Sequence, residues 1–568
     1  MRYQILATDY DGTIAHHGKV DKETVEALER LKASARKLVL VTGRELDELK
    51  AIFPEHTLFD MIVAENGALL YNPSTLQEHL LGERPPESFI EELKKQNVLP
   101  LSVGRVIVAT WEPNETIVLD AIKRTGIEHQ VIFNKGAVMV LPPGINKAAG
   151  LQAVLQQMKF SCHNLVAVGD AENDNAMMQI AECSVAVANA LQSVKDQATY
   201  VTKKDHGAGV AQLIDLLIEN DFAEADEYLQ KHYLPLGKSK TNGDFKISPY
   251  HDGMLLVGTS GGGKSTFTAA FLEDLIASKY QFCLIDPEGD YLDFPDTVIV
   301  GDANHEPVVD EIIALLDNPD QNVVVCMLAI ALDQRPAFLN ALLPKIMDLK
   351  KNKAHPHWLI IDEANHLLPA ETESSYFNIP IDLNNFLLIT TEPVRINNSI
   401  MKQVKTLIVV GDNPEELVHQ YASIKSFSPT SIKIPSLKKG EALVWETTNK
   451  REPVVIVHST PKHLTKRHIK KYTTGDMGYN NFYFKGPENK LNLKAYNLMV
   501  FMQLAEGVDD DTWMYHLRQH DYSNWFRDAL HNDELADLSK EIEDKSNDAK
   551  SSKEEILKFI AERYTAPA

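Results

Sequence analysis

The chain of 568 residues is too long for one hydrophobic core, so three or more domains are expected. A hydrophobic content of 44% and a charged content of 24% are ordinary for a globular protein, and the net charge of −23 disfavours nucleic acid as a partner. The four cysteines form no CxxC pair and no apolar run reaches the ~18 residues of a membrane span, so we expect a cytoplasmic protein without disulfides, structural zinc or membrane contact.

Residues 1–80 and 145–218 alternate apolar strands with amphipathic helices. "YQILATD" and "KLVLVTG" are apolar runs that end in polar residues, and "KETVEALERLKAS" between them has helical spacing. Buried parallel strands with crossover helices have this pattern. The two segments are therefore predicted to form one α/β core, and residues 81–144, where the rhythm changes, are predicted to form an α+β cap.

Carboxylates follow two of these strands. Asp9 and Asp11 come directly after the first strand in "DYDGT", and Asp170 and Asp174 follow a later strand in "GDAEND". Two carboxylates one residue apart at a strand's carboxyl end reach one crevice, where one can attack phosphorus and the other can handle the leaving-group proton. The later pair offers the hard oxygen ligands that suit Mg²⁺.

Two more residues complete a phosphate site. Thr42 ends the second strand in "VLVTGR", where its hydroxyl and backbone N–H can hold a phosphoryl oxygen. Lys147 in "PPGINKAAGL" supplies a compact positive charge that balances the phosphoryl oxygens.

The order DxDGT, TGR, lysine, GDxxND over residues 1–218 resembles the haloacid dehalogenase (HAD) superfamily, Cof-type subclass IIB, and "ENGALL" and "SVAVANA" match that subclass too. The subclass includes sugar-phosphate, phosphoglycolate and sucrose-phosphate phosphatases. The resemblance implies a Rossmann-like core with a C2-type cap, in which Asp9 becomes an aspartyl phosphate and Asp11 acts as general acid and then base. The implied substrate-binding residues are Thr42, Gly43, Arg44, Lys147 and Asn173. The implied Mg²⁺ ligands are Asp9, the Asp11 backbone carbonyl, Asp170 and Asp174.

Residues 219–245 are predicted to be a linker, after which strand and helix alternation resumes over residues 246–460. "GTSGGGKST" lies between an apolar strand and a helix and matches G-x-x-x-x-G-K-[ST]. Its glycines let backbone N–H groups surround phosphates, its lysine reaches the β and γ phosphates, and Ser265 can ligate Mg²⁺. The predicted nucleotide-binding residues of this loop are Gly258, Gly261, Gly263, Lys264, Ser265 and Thr266.

"HWLIIDEANH" contributes Asp362 and Glu363 after four apolar residues. Asp362 can accept the Mg²⁺-bound water and Glu363 can polarise an attacking water, which favours an NTPase over a kinase. Thr390 and Thr391, at the end of the apolar run "FLLITTE", are predicted to sense the γ-phosphate. "DPEG" and "KGEALVW" resemble the HerA/FtsK ring ATPases over about 245–455, which implies ATP as ligand and a homo-oligomer such as a ring, with Arg335 or Arg395 reaching a neighbouring subunit.

Residues 461–568 are predicted to be a mostly helical module of undeciphered role. His516 and His520 are four residues apart and could share a metal. Because no carboxylate follows at a fixed spacing, surface histidines are the preferred interpretation.

Three functions remain open. The preferred one is a Mg²⁺-dependent phosphatase for a small metabolite, such as a sugar phosphate or a phosphoglycolate-like compound, fused to an ATPase that regulates or assembles it. The second is a HerA-like nucleic-acid motor with an end-processing phosphatase, which the net charge disfavours. The third is an opposed kinase–phosphatase pair, which Asp362 and Glu363 disfavour. The two sites are predicted not to share a substrate.

Overall fold

The computed structural model describes residues 1–134, 136–239, 243–250, 252–259, 261–370, 384–425, 434–447, 452–463, 481–530 and 533–564. The chain forms two compact units: one comprises Met1–Lys264, Phe271–Pro287 and Asp296–Ser459, and the other comprises Ser265–Ala270, Glu288–Pro295 and Thr460–Ala568. Among the described helices, none combines the length and the apolar character needed to cross a bilayer.

The first 220 residues contain one large sheet and one small sheet. The strands are β1 (Ile5–Asp9), β2 (Lys37–Val41), β3 (Met61–Ala64), β4 (Leu69–Asn72), β5 (Gln77–Leu80), β6 (Ser102–Val103), β7 (Val108–Trp111), β8 (Gln130–Asn134), β9 (Ala137–Leu141), β10 (Leu165–Gly169), β11 (Cys183–Ala186) and β12 (Tyr200–Val201). The helices are α1 (Lys22–Ala33), α2 (Leu46–Ile52), α3 (Glu87–Lys95), α4 (Glu115–Thr125), α5 (Lys147–Met158), α6 (Asn175–Ile180), α7 (Gln192–Lys195) and α8 (His206–Asn220).

The large sheet has the order β12-β11-β10-β1-β2-β3-β4-β5. Its strands from β12 to β3 are parallel, and β1 lies between β10 and β2, with Ile5 opposite Leu165 and Lys37. All five residues of β1 and of β10 are buried, as expected for strands covered on both faces. The predicted α/β core is confirmed, and the carboxyl ends of β1 and β10 meet at one edge.

The small sheet has the order β6-β7-β9-β8 and lies with α3 and α4 in the segment predicted to be the cap, a name kept below for this segment. One face packs against the helices through a cluster that includes Phe89, Val108 and Val140. Because side chains alternate along a strand, Met139 lies on the other face, which packs with Ala68 of the core. This second face therefore covers the core.

A second large sheet spans residues 234–457. Its strands are β13 (Leu234–Ser239), β14 (Gly243–Ile247), β15 (Gly253–Gly258), β16 (Phe282–Asp286), β17 (Thr297–Val300), β18 (Asn322–Cys326), β19 (Trp358–Ile361), β20 (Phe386–Thr390), β21 (Val404–Val410), β22 (Glu441–Glu446) and β23 (Val454–Val457). The helices are α9 (Lys264–Ala277), α10 (Val309–Leu316), α11 (Arg335–Lys353), α12 (Ala364–Leu367), α13 (Asn398–Met401) and α14 (Pro414–Ile424).

The strand order of this sheet is β14-β13-β23-β22-β21-β15-β20-β19-β16-β18-β17, and β21 to β17 in that order are parallel. β20 lies between β15 and β19, so three carboxyl ends are adjacent. The prediction that residues 219–245 form a linker is wrong for the strands in this range. β13 and β14 pair with each other, and β13 also pairs with β23. Leu234 and Leu236 of β13 are buried, which explains why this segment joins the sheet.

The two large sheets lie in the same compact unit and meet at the amino-terminal ends of their strands. His163, just before β10, bonds through Nε2 to the carbonyl oxygen of Ser278 at 2.9 Å, and Tyr250 Oη donates to the carbonyl of His163 at 3.1 Å. Gln4, just before β1, donates to the carbonyl of Lys351 at 3.1 Å. The carboxyl ends of β1, β10 and β16 are therefore directed away from this contact.

The C-terminal residues of the second unit contain a strand pair and five helices within the described ranges. The elements are β24 (Phe482–Phe484), β25 (Leu493–Ala495), α15 (Leu498–Gly507), α16 (Asp510–Arg518), α17 (Asp521–Asp528), α18 (Asp533–Lys545) and α19 (Ala549–Tyr564). Their core is aromatic and includes Phe482, Phe501 and Trp513.

The interpretation of His516 as a surface histidine is wrong, because its side chain is buried in this core. The backbone N–H of Lys485 donates to Nε2 of His516 at 3.0 Å, so Nδ1 carries the hydrogen that is donated to Asp521 at 2.7 Å. His520 instead contacts Glu543 through Nδ1 at 3.3 Å. Both imidazoles therefore have structural partners.

Candidate active site

Three carboxylates meet where β1 and β10 end. Asp9 is the last residue of β1, Asp170 directly follows β10, and Asp174 lies four residues further on. One oxygen from each carboxylate lies within 4.8 Å of the others, and all three side chains are buried. The parallel pairing of β1 with β10 thus brings together aspartates that are about 160 residues apart in the chain.

Lys147 supplies the positive charge between these carboxylates. It is the first residue of α5, whose start is fixed by the side chain of Asn146 accepting the N–H of Ala149 at 3.0 Å. Lys147 Nζ donates to Asp9 Oδ1 and, at 2.6 Å, to Asp174 Oδ1. The ammonium is buried, so it is held by these carboxylates and not by water.

The electrostatics of the cluster follow from burial and charge. Burial raises the pKa of Asp9 to about 7, with Asp174 adding to the shift and Lys147 opposing it. For Lys147, burial alone would lower the pKa, but Asp174 and Asp9 outweigh it and the pKa is raised. Three carboxylates face one ammonium, so the cluster carries a formal excess of negative charge that fits a divalent cation with hard oxygen ligands.

Glycines allow the close approach around this cluster. A Cβ on Gly12, which has φ +90°, would overlap the carboxylate of Asp170, and a Cβ on Gly169 would overlap Asp174. Asp174 Oδ2 accepts the backbone N–H groups of Asp170 at 2.9 Å and Ala171 at 3.0 Å. Any side chain at either glycine would push the carboxylates apart.

Arg44 and Asp11 pair with each other at the rim of this site. Arg44 Nε donates to Asp11 Oδ2 at 2.6 Å and Nη2 donates to Oδ1 at 2.8 Å. The hydrogen bond that Arg44 donates to Asp11 raises the pKa of Arg44. The sequence predicted Asp11 as an acid–base group and Arg44 as a substrate ligand, and the structure shows each as the partner of the other.

The remaining predicted phosphate-site residues lie in the same loops. Thr42 is buried, and its Oγ1 accepts the N–H of Arg44 at 3.1 Å across Gly43. Asn173 follows β10, and its Oδ1 is buried without a hydrogen-bond partner among the described residues. The loops that the sequence motifs predicted to form the phosphate site therefore lie at the same edge of the first sheet.

Two supporting residues were missed. Thr13 Oγ1 contacts Asp9 Oδ2 at 3.3 Å and Asp170 Oδ1 at 3.4 Å. Asn189 Nδ2 donates to the carbonyl of Gly12 at 2.8 Å. The signal was present in the quoted motifs "DYDGT" and "SVAVANA", which contain both residues.

The glycine-rich loop between β15 and α9 contains the second predicted site. Gly261 and Gly263 have positive φ angles of 76° and 102°, and α9 begins at Lys264, followed by Ser265 and Thr266. Lys264 Nζ donates to the carbonyl of Gly258, the last residue of β15, at 2.9 Å. The lysine thus folds over its own loop.

Asp362 and Glu363 follow β19 and are both buried. Glu363 has φ +45°, a conformation that non-glycine residues rarely adopt, and its N–H donates to Asp362 Oδ1 at 2.8 Å. On the neighbouring β20, Thr390 Oγ1 donates to Asn365 Oδ1 at 2.8 Å, and Thr391 follows it. The ends of β15, β20 and β19 therefore bring Lys264, Thr390 and Asp362 to one edge of the second sheet.

The following family model, relatives and solved structure each match less than half of the chain. A family model for haloacid dehalogenase-like hydrolase matches residues 6–117 and 122–214. Phosphoglycolate phosphatase 2 of Saccharolobus solfataricus is 32% identical over 234 residues, which cover 39% of this chain and 97% of that protein. Phosphoglycolate phosphatase of Methanothermobacter thermautotrophicus is 28% identical over 223 residues, which cover 37% of this chain and 96% of that protein. A haloacid dehalogenase-like hydrolase from Bacteroides thetaiotaomicron aligns with a TM-score of 0.34 at 20% identity, over 38% of this chain and 99% of that one.

Proposed function

This chain belongs to the haloacid dehalogenase-like hydrolase family through residues 6–214, and we propose that this region is a Mg²⁺-dependent phosphomonoesterase for a small phosphorylated metabolite. The observation that carries the proposal is the buried cluster of Asp9, Asp170, Asp174 and Lys147. The substrate class is a phosphoglycolate-like compound or a sugar phosphate, because two similar proteins are phosphoglycolate phosphatases.

The first step transfers the phosphoryl group to Asp9. A carboxylate oxygen of Asp9 forms a bond to phosphorus while the bond from phosphorus to the leaving-group oxygen breaks. Asp11, which takes up a proton from solvent once Arg44 has released it, gives this proton to that oxygen, so an alcohol departs and Asp11 becomes a carboxylate. Thr42 and Lys147 bind the phosphoryl oxygens during the transfer.

The second step returns Asp9 to its starting state. Asp11, now a carboxylate, takes a proton from a water molecule, whose oxygen attacks the phosphorus of the aspartyl phosphate. The phosphorus–oxygen bond to Asp9 breaks, and inorganic phosphate leaves. Because Arg44 holds both oxygens of Asp11 in the structure, Arg44 must release it, and an anionic substrate that binds the guanidinium would cause this release.

Four residues would hold Mg²⁺ in this site. Asp9, Asp170 and Asp174 offer buried carboxylate oxygens, and Asp11 offers its backbone carbonyl. The bound ion would stabilise the negative charge on the phosphoryl oxygens.

Phosphate release from a panel of phosphomonoesters tests this proposal. In the presence of Mg²⁺, Asp9→Asn should lose activity by about a thousandfold or more, since asparagine has no carboxylate oxygen that can form the intermediate. Asp120→Asn, on the exposed side of a cap helix, is the matched control and should keep wild-type activity. Equal activity of Asp9→Asn and the wild type would contradict the proposal.

We also propose that the second large sheet is an ATP-hydrolysing P-loop domain that regulates or assembles the phosphatase. Support comes from the adjacency of Lys264, Thr390 and Asp362 at the ends of β15, β20 and β19. Ser265 and Thr266 would bind phosphate and Mg²⁺, Glu363 would orient the attacking water, and Thr391 would lie near the γ-phosphate. The partners are ATP and further copies of this chain, with a ring as one form of assembly.

ATP hydrolysis by the wild type and by Lys264→Ala tests the second proposal. Lys264→Ala should abolish phosphate release from ATP, whereas Lys279→Ala, an exposed lysine in the same region, should not. Stimulation by DNA or RNA would favour the nucleic-acid motor. Transfer of the γ-phosphate to a metabolite or protein would favour the opposed kinase–phosphatase pair.

A further inference from the structure

Glu65, Asn66 and Gly67, here named the ENG loop, directly follow β3 and have an unusual backbone. All three have positive φ angles, of 52°, 54° and 109°. Glutamate rarely adopts this conformation, although asparagine does so more often, so surrounding contacts must hold Glu65 in place. The ENG loop contacts three other parts of the chain.

The first part is the cap. The carboxylate of Glu65 is fully buried and accepts three consecutive backbone N–H groups, from Arg105 at 2.9 Å, Val106 at 2.7 Å and Ile107 at 2.9 Å. These residues form the turn between β6 and β7. A buried carboxylate with three donors is a strong attachment, because hydrogen bonds to a charged group are stronger than neutral ones.

The second part is the loop of Thr42, Gly43 and Arg44. The N–H of Glu65 donates to the carbonyl of Arg44, and the N–H of Asn66 donates to the carbonyl of Thr42, both at 2.9 Å. The backbone that carries the cap-binding carboxylate is therefore bonded to the two residues proposed to bind the substrate.

The third part is the start of α5. A Cβ on Gly67 would overlap the carbonyl oxygen of Asn146, so the loop backbone lies directly against the residue before Lys147. One short loop thus contacts the cap, the Thr42–Arg44 segment and the helix that carries the active-site lysine.

Other contacts between the same cap segment and the core are more exposed. Arg105 donates to Glu78 at 2.6 Å and to Asp47 at 3.0 Å, and the Asp47 side chain is 72% exposed. Exposed ion pairs contribute little, since water competes for both partners. Glu65 is therefore the dominant polar attachment among them.

We propose that Glu65 is a positioning residue that latches the cap onto the core and couples cap closure to the placement of Thr42, Arg44 and Lys147. This proposal rests on the proposed phosphatase function. The latched cap excludes water and holds the leaving group over Asp9, whereas release of the turn at 105–107 opens the site.

The test compares three variants. Glu65→Gln removes the charge with little change of size, and Gly104→Ala acts from the cap side, where the added Cβ would lie 2.8 Å from Glu65 Oε1. Glu78→Gln is the matched control, because it is the same substitution at a residue that holds the same cap segment through Arg105. The readouts are amide hydrogen exchange of Val106 and Ile107 and the kinetics of p-nitrophenyl phosphate and acetyl phosphate.

We expect Glu65→Gln and Gly104→Ala to speed exchange at Val106 and Ile107 at least about tenfold. We expect KM for p-nitrophenyl phosphate, whose leaving group reaches the cap, to rise by about tenfold, and KM for the smaller acetyl phosphate by less than about twofold. Glu78→Gln should change each quantity by less than about twofold.

A purely structural role would lower kcat equally for both substrates without separating their KM values, and that outcome would overturn the proposal. Unchanged amide exchange at Val106 and Ile107 in both Glu65→Gln and Gly104→Ala would also overturn the proposal. If the wild type hydrolyses no phosphomonoester, the phosphatase function fails, while the exchange measurement still decides whether Glu65 latches the cap.

Discussion

Arg44 holds Asp11 with a two-pronged contact, from Nε to Oδ2 at 2.6 Å and from Nη2 to Oδ1 at 2.8 Å. The geometry matches the planar guanidinium to the planar carboxylate, which a lysine cannot reproduce. Both side chains remain partly exposed, at 23% for Arg44 and 44% for Asp11. We therefore expect a substrate anion to reach the guanidinium and take the place of Asp11.

Arg44→Lys should weaken substrate binding more than it affects folding. We expect kcat/KM for phosphomonoesters to fall by about tenfold or more, mainly through KM, because the single ammonium loses the fork that receives the anion. Steady-state kinetics with the wild type and with Arg124→Lys, an exposed arginine on the cap, give the comparison. A normal KM for Arg44→Lys would show that the substrate leaves the Arg44–Asp11 pair intact.

Lys147→Met should destabilise the protein when Mg²⁺ is absent. The substitution leaves the buried carboxylates of Asp9 and Asp174 without their shared ammonium, at an expected cost of about 3–5 kcal/mol. Urea unfolding in EDTA measures the change, and Lys159→Met, which removes an exposed ion pair with Asp317, serves as the control. Equal stability of Lys147→Met and the wild type would mean that one of these carboxyl groups is protonated in the native state.

The contact between the two large sheets should weaken in acid. Burial lowers the pKa of His355 to about 4, and its Nε2 lies 3.3 Å from the carbonyl oxygen of Lys159. Between about pH 6.5 and 4, the unfolded chain binds a proton at this residue that the folded chain does not, so stability is full above pH 6.5 and decreases as the pH falls. The decrease from this one group reaches about 3 kcal/mol.

Urea unfolding at pH 7.5 and pH 5 checks this prediction. His355→Gln should reduce the difference in unfolding free energy between the two pH values, because glutamine does not titrate. His79→Gln, at an exposed position of β5, should leave the difference unchanged. An equal pH dependence in both variants would exclude His355 as its source.

Trp111 and Phe133 allow a test of which cap face, if either, contacts the leaving group of the proposed substrate. They are similarly exposed, at 52% and 50%, but the strand register places Trp111 on the face with Met139 and Phe133 on the opposite face with Val138. The Sδ of Met139 lies 4.0 Å from the position of a Cβ on Gly43, so its face covers the loop of Thr42, Gly43 and Arg44.

Trp111→Ala should therefore raise KM for p-nitrophenyl phosphate by about fivefold, the value of one lost aromatic contact. Phe133→Ala should leave KM within about twofold of the wild type, since its side chain is on the helix face of the cap. A comparison of KM values for both variants decides the matter. An equal effect of the two substitutions would show that the substrate does not reach this part of the cap.

The amino-acid sequence by itself determined the local features of this protein. The spacing of apolar residues predicted the strands of the first sheet and the helices that connect them. This spacing could be read from the sequence because it depends only on residues that are neighbours in the chain. The motifs around Asp9, Thr42, Lys147 and Asp170 were visible because each loop carries its residues at short fixed spacings. The confirmed α/β core and the family relationship depend on these local signals.

Only the tertiary structure decided how distant residues pair. Arg44 with Asp11, Glu65 with the turn at 105–107, and the meeting of the sheets through His163 and Ser278 join segments that no spacing rule connects. The burial of His516 and the pairing of β13 with the second sheet likewise could not be predicted from the local sequence pattern. The physical reason is that burial and hydrogen bonding of a polar side chain depend on its neighbours in space, which only the folded chain provides.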